Sequence, residues 1–479
     1  MPIDSTHSDY QTNSKFWTRC RDVISGGEDG VKAKKKVYLP QPEEMDDPTY
    51  TAYLERASFF NASKRTAGGY EGMILRKDPE VKVPDSVVPF LDDITLSAIP
   101  FTMFARQITR EIIDVGRCGI LVDVQSEDVP NRRPYLSLYL AESILDWETE
   151  SRGGDEVLTM VKLHETVVEK DPKDPWTRKT FEALRILTLG PVLEPDIEGK
   201  IRNFTNEVYR VRFYVKRESS GETQAAGQKE SYNLEEDVVP TFANGDPLTF
   251  IPFQCFGSSD DSIDVGEAPL IDLVNMNLSH YRTMADLEWA RYYIAFPQVY
   301  VTGCATDVKL KRAANLVWKF SDPQAKVGVV GGDETDISAL ENAAEKKEKL
   351  MATLGARLLE QQKKEAEAAE TLRLRQSGEQ ASLSTISSSA GFGLTQSMKW
   401  LTLWSGADDS QVSVKMNAVF VDESADPQLV TTLLEAVQAG KMSFNTFYQN
   451  LVRFGIARDG ISAEEELKEI DAEIPAAQI

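Results

Sequence analysis

Residue types that build catalytic and metal sites are scarce in this 479-residue sequence, which has four cysteines and three histidines. The histidines, His7, His164 and His280, lack zinc-ligand spacing, which argues against a His-centred metal site or triad. The cysteines lie far apart and form no CxxC pair; they are Cys20, Cys118, Cys255 and Cys304. We expect them to be small buried hydrophobic residues.

Long apolar runs are missing as well. No stretch approaches the roughly 20 residues of a membrane-spanning helix. The amino terminus, MPIDSTHSDYQTNSKFW, has neither the basic start nor the apolar run of a signal peptide. A hydrophobic content of 41% and a charged content of 27% are those of a globular protein. We therefore expect two or more domains in a protein that begins in a cytoplasm.

Positive charge is in deficit, with 53 basic against 76 acidic residues and a net charge of −23. A protein that grips nucleic acid over an extended surface normally carries excess Lys and Arg, because counterion release drives that binding. Three interpretations stay open: the protein never meets nucleic acid, it lets nucleic acid pass without sticking, or the charge only provides solubility.

Signatures of nucleotide binding and hydrolysis are absent from the sequence, which has no GxxxxGK[ST] loop and no GxSxG elbow. The nearest glycine pair, in the segment 391–393, lies in a Ser-rich helical context without a preceding strand. We therefore expect no catalytic residues, no cofactor and no enzyme activity.

One carboxylate cluster could bind a divalent metal; it consists of Asp260, Asp261, Asp264 and Glu267. Its spacing does not fit a calcium loop. The favoured interpretation is a polar loop that caps a helix starting near Pro269, because acidic groups favour the amino end of a helix. We expect no metal site.

Periodicity predicts an α+β, mainly helical protein. An apolar face from Tyr50 to Phe60 predicts a helix that Gly68 and Gly69 end, and a second helix starts near Phe101. Four strands are expected in YLSLYL, VLTMVKLHETV, FEALRILTL and YRVRFYV. Before them, a polar stretch with a glycine-rich piece leads into a lysine cluster, for which a solvated loop is favoured over a phosphate contact; its members are Lys32, Lys34, Lys35 and Lys36.

The pattern changes at Ala268, where a long helix begins and runs to Pro297. The strand QVYVTG, the helix DVKLKRAANLVW and the strand KVGVV follow, before a second helical region over about 337–370. Its apolar stripe is thin, which suits either a helix packed against neighbours in an assembly or a solvent-exposed hairpin. A polar segment then leads to a helix whose Gly391 and Gly393 permit close helix contact or a kink.

Several segments resemble the portal proteins of tailed bacteriophages and prophages. They are YLERASFFNASKRTAGGYEGMILRK, FARQITREIIDVGRCGILVDV, RPYLSLYLAESILDWETE, PLIDLVNMNLSHYRTMADLEWARYYIAFPQVYVTG and LGARLLE. The matches are collinear and span most of residues 45 to 405. None of them is a catalytic signature.

The resemblance implies a portal fold of wing, stem, clip and crown regions that assembles as a ring, usually a dodecamer. The implied regions are an N-terminal arm (1–44), a wing (45–266), a stem helix (267–296), a clip (297–333), a second stem helix (334–359), a tunnel loop (360–375), a wing helix and strand (376–421) and a crown (422–479). The implied function is a channel at one capsid vertex for genome packaging and ejection. The alternatives are another head–tail connector or minor capsid protein, or a metal-dependent hydrolase.

The resemblance also implies partners: the terminase large subunit, a head–tail adaptor and tail proteins, major capsid and scaffold proteins, and double-stranded DNA passing without sequence specificity. The protein would reside in the virion and, during assembly, in the host cytoplasm. Candidates for the DNA channel are Gln361, Gln362, Lys363, Lys364, Arg373 and Arg375. Candidates for partner docking in the clip are Asp307, Lys309, Lys311, Arg312 and Lys319. A solvated helical face is the other interpretation of the channel cations.

Overall fold

The computed structural model describes residues 3–125, 132–171, 174–191, 207–217, 231–242, 244–295, 298–303, 318–320, 323–330, 334–356, 369–417, 420, 427–453, 456–458 and 461–473. The chain forms two compact units, Met1–Met416 and Asn417–Ile479. Helices and antiparallel sheets occur together in the first unit, so the α+β class is confirmed. No helix in these residues is both long and apolar enough to cross a membrane.

The N-terminal segment is helical, with α1 (Ser8–Cys20), a π-helical turn (Arg21–Ser25) and α2 (Gly27–Ala33). It contributes five core side chains, Trp17, Cys20, Val23, Ile24 and Val31. This part of the expected N-terminal arm (1–44) is therefore helical and partly buried. Its glycines serve close packing, because a Cβ at Gly26 or Gly30 would lie 2.7 Å from the Asp22 carbonyl oxygen.

The next two helices each begin at a side-chain cap, and the glycine pair ends neither of them. Asp46 accepts a hydrogen bond from the Thr49 amide at 2.9 Å and starts α3 (Asp47–Arg56). Asn61 similarly starts α4 (Ala62–Ile74), which runs through Gly68 and Gly69, contrary to expectation. Each glycine costs a helix about 1 kcal/mol, but Ala67, Tyr70 and Ile74 of α4 are buried. A short strand, β1 (Glu80–Lys82), follows.

Helix α5 (Phe101–Val115) has the predicted apolar face and ends at Gly116, whose φ of +81° suits glycine. A Cβ there would also lie 2.9 Å from the Ala268 backbone. The chain continues into β2 (Arg117–Val124) and β3 (Pro134–Leu140).

A five-stranded antiparallel meander comes next, in the order of the chain. Its strands are β4 (Ile144–Arg152), β5 (Asp155–Asp171), β6 (Asp174–Gly190), β7 (Val208–Arg217) and β8 (Ser231–Val238). The four strands predicted from sequence correspond to β3, β5, β6 and β7. Strand β9 (Phe253–Gly257) then returns to pair with β2, which gives the three-stranded order β3-β2-β9.

The predicted long helix is α6 (Ile271–Ala295). Strands β10 (Gln298–Thr302) and β11 (Lys326–Val330) form an antiparallel pair, and α7 (Glu334–Met351) continues into a π-helical turn, Ala352–Ala356. Helix α8 (Ala369–Trp404) is followed by β12 (Ser413–Lys415), which pairs with β1. Because α8 begins at Ala369, residues 369–375 of the expected tunnel loop are helical.

Helix α8 packs on the three-stranded sheet through a stripe with helical spacing: Leu383, Ile386, Ala390, Leu394, Met398 and Leu401. Of the two alternatives for its glycines, close contact is what occurs. A Cβ at Gly393 would lie 2.4 Å from the Phe256 ring, and the helix continues without interruption through both glycines.

The second unit contains α9 (Pro427–Gln438), α10 (Phe444–Arg453) and α11 (Ala463–Glu473). Gly440, with a φ of +67°, follows the end of α9. Ser462 and Glu465 form a reciprocal capping box at the start of α11: the Glu465 amide donates to Ser462 Oγ, and the Ser462 amide donates to Glu465 Oε2.

Candidate functional site

The helices α6 and α7 pack against each other and carry between them, in sequence, the β10–β11 pair and most of the predicted docking residues. With 25 residues, α6 is about 37 Å long at 1.5 Å per residue. One face of its first half is buried. Over residues 337–351 of α7, in contrast, the buried side chains are Ala344 and Met351, and most of the others are exposed. This two-helix element is called the helical hairpin below.

Polar contacts set the register of the helical hairpin. His280 Nε2 lies 3.2 Å from Glu348 Oε1, and Lys347 Nζ donates to the Ser279 carbonyl at 3.0 Å and to Thr283 Oγ1 at 2.6 Å. Burial lowers the pKa of His280, and Glu348 opposes that shift only in part. Burial likewise lowers the pKa of Lys347.

Nearer the end of α6, Arg291 donates 2.8 Å hydrogen bonds to both Glu288 and Glu341. Residues 279 and 291 of α6 therefore face 347 and 341 of α7, which makes the two helices antiparallel. These polar contacts fix the alignment of the two helices.

A buried amide anchors the base of the helical hairpin to the rest of the unit. Asn277 is fully buried; its Oδ1 accepts from the Ser63 amide at 3.2 Å and from Ser63 Oγ at 3.0 Å, and its Nδ2 donates to the Phe60 carbonyl at 2.8 Å. The same junction requires Gly355, because a Cβ there would lie 2.6 Å from Thr66 Cγ2 and 2.8 Å from Leu273 Cδ2. These contacts fix the base of the helical hairpin to α4 and to the residue pair that precedes it.

An aromatic joint supports the second half of α6. Tyr53 Oη donates to Asp286 Oδ1 at 2.6 Å, and the Tyr53 ring meets the Trp289 ring edge-on with centroids 5.6 Å apart. The Arg56 guanidinium lies over the Tyr292 ring at 3.8 Å. Helix α3 therefore braces α6 beyond the point where the core ends.

The β10–β11 pair presents apolar side chains to solvent. Tyr300 covers Gly328, where a Cβ would meet the ring at 2.3 Å. Tyr300 and Val327 are each about half exposed. Of the predicted clip residues, Lys319 is exposed, and Asp307, Lys309, Lys311 and Arg312 lie outside the described residues.

Of the predicted channel residues, the structure describes two. Gln361, Gln362, Lys363 and Lys364 lie outside the described residues. Arg373 and Arg375 belong to the first turns of α8. The basic cluster near the amino terminus, in contrast, pairs within the chain: Lys32 with Glu28, Lys34 with Asp22 and Lys36 with Asp47.

The acidic cluster is held by hydroxyl groups. Asp261 accepts a hydrogen bond from Ser389 Oγ of α8, and Asp260 accepts from the Ser262 amide and hydroxyl at 3.1 and 2.7 Å. Burial raises the pKa of Asp261 to about 6, and the Asp260 charge adds to the shift. In the described part of the chain, no three His, Cys, Asp or Glu residues converge as a metal site would require.

The thiols are not reactive groups. Cys20, Cys118 and Cys255 are buried, as predicted, and burial raises the pKa of Cys20 and of Cys255 to about 12. A thiol in that state is not a nucleophile near neutral pH. Cys304 lies outside the described residues.

Sequence reasoning missed the anchoring residues Asn277 and Ser63 and the aromatic joint. The signal for Asn277 was its place on the apolar face of α6, where a lone amide needs buried partners. Nothing in the sequence indicated that α3 and α4 would supply those partners.

Comparison with known proteins gives two kinds of likeness. Residues 269–405, from the start of α6 to the end of α8, match a family described as "Domain of unknown function (DUF4055)". No curated protein sequence matches the chain.

Among solved structures, a chain from the "Neck of empty GTA particle computed with C6 symmetry" is 12% identical, with a TM-score of 0.37 over 89% of this chain and 98% of the other. A chain from the "Neck of native GTA particle computed with C12 symmetry" is 11% identical, with a TM-score of 0.37 over 89% and 99%. Likenesses at this level say nothing about function.

Proposed function

We propose that this chain is a subunit of a phage portal, a ring at one capsid vertex that conducts DNA during packaging and ejection. The observation that carries the proposal is the helical hairpin, which lies in the collinear portal-like stretch. Its base is locked by Asn277, yet most of α7 is uncovered in the single chain. A helix with so thin a buried stripe suits side-by-side packing between copies.

In this proposal α6 and α7 are the stem and the β10–β11 pair belongs to the clip, where the terminase large subunit and the head–tail adaptor would dock. The α+β body is the wing, and the second unit is the crown. Capsid and scaffold proteins would surround the ring in the virion, and assembly would take place in the host cytoplasm.

The net charge of −23 fits a channel through which a polyanion slides. Acidic walls repel phosphate, so DNA is not retained by counterion release. Lys363, Lys364, Arg373 and Arg375 would provide transient contacts near the constriction. The proposed role asks for no chemistry of the protein's own, and Asp260 and Asp261 would serve in the loop before α6 by accepting hydroxyl hydrogen bonds.

The decisive experiment is mass photometry with negative-stain imaging of the purified full-length chain. The expected result is a hollow ring, most simply a dodecamer. A protein that stays monomeric at high concentration would refute the proposal. Another head–tail connector or minor capsid protein is distinguished by function: particles lacking a portal fail to package DNA, whereas particles lacking a later connector package it and then lose it.

A channel variant tests the DNA path. Lys363→Glu with Lys364→Glu should leave the ring intact and alter genome filling or retention, because the reversed charge repels the phosphate backbone. Lys441→Glu, on an exposed residue outside the proposed channel and clip, serves as the control for charge alone. Unchanged filling in the double variant would remove these lysines from the channel.

A further inference from the structure

The long strands β5 and β6 extend past the rest of their sheet. They pair with each other from Met160↔Thr188 to Lys170↔Arg178, whereas β4 pairs with β5 only up to Leu163 and β7 pairs with β6 only from Ala183 onward. Residues 164–171 and 174–182 therefore form a two-stranded ribbon without a third strand among the described residues. The ribbon extends the sheet, and the Arg217 guanidinium of β7 donates to Glu169 at 2.7 Å and lies over the Phe181 ring. The part of the ribbon beyond these residues is open to a partner.

A tryptophan stands near the tip of that ribbon. Trp176 is 93% exposed, although its backbone is fixed: its amide donates to Asp174 Oδ1 at 3.1 Å and Thr177 Oγ1 donates to Asp174 Oδ2 at 2.6 Å. The indole is thus held outward by a defined turn. Fully exposed tryptophan is rare on a monomer surface, and buried tryptophan is among the most frequent anchors of protein interfaces.

The same unit contains a cavity whose chemistry matches an indole. It measures about 330 Å³, and its apolar walls include Phe16, Val265 and Ile271. Its polar lining includes Asn275, Asp272 and Glu267, whose oxygens are the acceptors that an indole N–H needs when it is buried. No ribbon residue lines this cavity.

The charges beside Trp176 and those at the cavity are of opposite sign. Strand β6 carries the exposed Arg178 two positions after Trp176, and the next residue, Lys179, pairs with Asp171 at 3.1 Å. Glu267 and Asp272 lie at the cavity. Because the indole is exposed in its own chain, a tryptophan that fills the cavity must come from another copy.

We propose that Trp176 of one copy inserts into the cavity between α1, α6 and the 265–268 segment of a neighbouring copy. The contact is heterologous, since ribbon and cavity are different surfaces, and repeated contacts of this kind close a ring when the rotation permits. The inference rests on the proposed ring. It adds a contact between the wings of neighbouring copies that is separate from the helical hairpin.

The first test is Trp176→Ala in the full-length chain, followed through a dilution series by mass photometry. Loss of an interface anchor should raise the concentration at which the assembly dissociates by at least about tenfold. Val168→Ala removes a half-exposed apolar side chain from the same ribbon and should change little. Trp176→Phe should be intermediate, because the ring still fills the cavity without its N–H donor.

The second test is a cross-link that does not depend on affinity. Trp176→Cys combined with Asn275→Cys should give a ladder of covalent oligomers under mild oxidation, whereas either single variant should not. Asn275 is exposed and accepts a 2.7 Å hydrogen bond from Arg19, so the fold should tolerate the change.

The outcomes separate the two proposals. Rings that form normally with Trp176→Ala and give no ladder in the double variant overturn the inference and leave the portal proposal standing. A Trp176→Cys chain that cross-links only to another virion protein also overturns it. A wild-type chain that never assembles refutes both.

Discussion

Replacing Asn277 by alanine should loosen the base of the helical hairpin more than any other single amide on α6. The substitution removes three hydrogen bonds, of 3.2, 3.0 and 2.8 Å, and leaves the buried Ser63 amide without its Asn277 partner. The Phe60 carbonyl keeps the Ala62 amide at 3.0 Å. Each bond contributes about 1 kcal/mol, and an orphaned buried group costs about 1–3 kcal/mol. The expected loss is about 3 kcal/mol, below the simple sum because the site can relax.

Hydrogen exchange detected by mass spectrometry measures this loss locally. If α6 exchanges by opening of this junction, about 3 kcal/mol corresponds to roughly 150-fold faster exchange of its amides. Peptides from α5 should be unaffected. Asn275→Ala is the matched control on the same helix, because Asn275 is exposed and only accepts a bond from Arg19, so its effect should stay below about 0.5 kcal/mol.

A double-mutant cycle measures how much of the lost stability comes from the contact between Asn277 and Ser63. Ser63→Ala alone removes one bond and should cost about 1 kcal/mol, and its effect should largely vanish in the Asn277→Ala background, which gives a coupling of about 1 kcal/mol. If Asn277→Ala costs no more than Asn275→Ala, the buried amide does not anchor the helical hairpin and the reasoning is wrong.

Three further predictions concern other parts of the chain. Gly393→Ala should destabilise the first unit by about 1–3 kcal/mol in urea unfolding, because its Cβ would lie 2.4 Å from Phe256; Gly391→Ala, at 3.4 Å from Met416 Cγ, should be neutral or stabilising, and equal effects would contradict the packing. Asp261→Asn should stabilise the protein by about 1–2 kcal/mol above pH 6, after allowance for partial exposure. Because the pKa of Asp261 is raised to about 6, the folded state binds the carboxyl proton more tightly than the unfolded state does. The cost of ionising Asp261 therefore appears as pH rises from about 4 to 6, and Asp261→Asn should give no gain in stability below pH 4. A gain that does not depend on pH would contradict this explanation. Ser462→Ala should cost α11 about 1 kcal/mol through loss of its capping box, seen as faster amide exchange in α11 while α10 keeps its own rate.

Much of the secondary structure follows from sequence because its signals are local. The apolar face of α5 repeats at helical spacing, and β5, β6 and β7 are rich in β-branched and aromatic residues, so these elements are where periodicity predicts them. The errors also have local causes. Glycine was taken as a helix stop at Gly68 and Gly69, but α4 continues through both because neighbouring side chains are buried.

Candidate site residues were harder to predict. The residues of 357–368 and 304–317 were chosen for their place in a portal-like order, and those choices stay predictions. The acidic cluster was interpreted from composition, and its place beside Ser389 on α8 depends on two segments more than a hundred residues apart in sequence.

The α+β class and the long α6 could be predicted from the sequence alone, as could the consequences of the scarcity of His and Cys and of the acidic balance. Each depends on composition or on neighbours three to four positions apart. The tertiary structure decided which residues act together. Asn277 became an anchor only when α4 placed Ser63 against it, and Gly393 became obligatory only when Phe256 lay over α8. Trp176 stands out because, among the described residues, no third strand pairs with its ribbon. Such pairings depend on how distant segments pack, and pairwise packing between distant segments leaves no periodic trace in a single sequence.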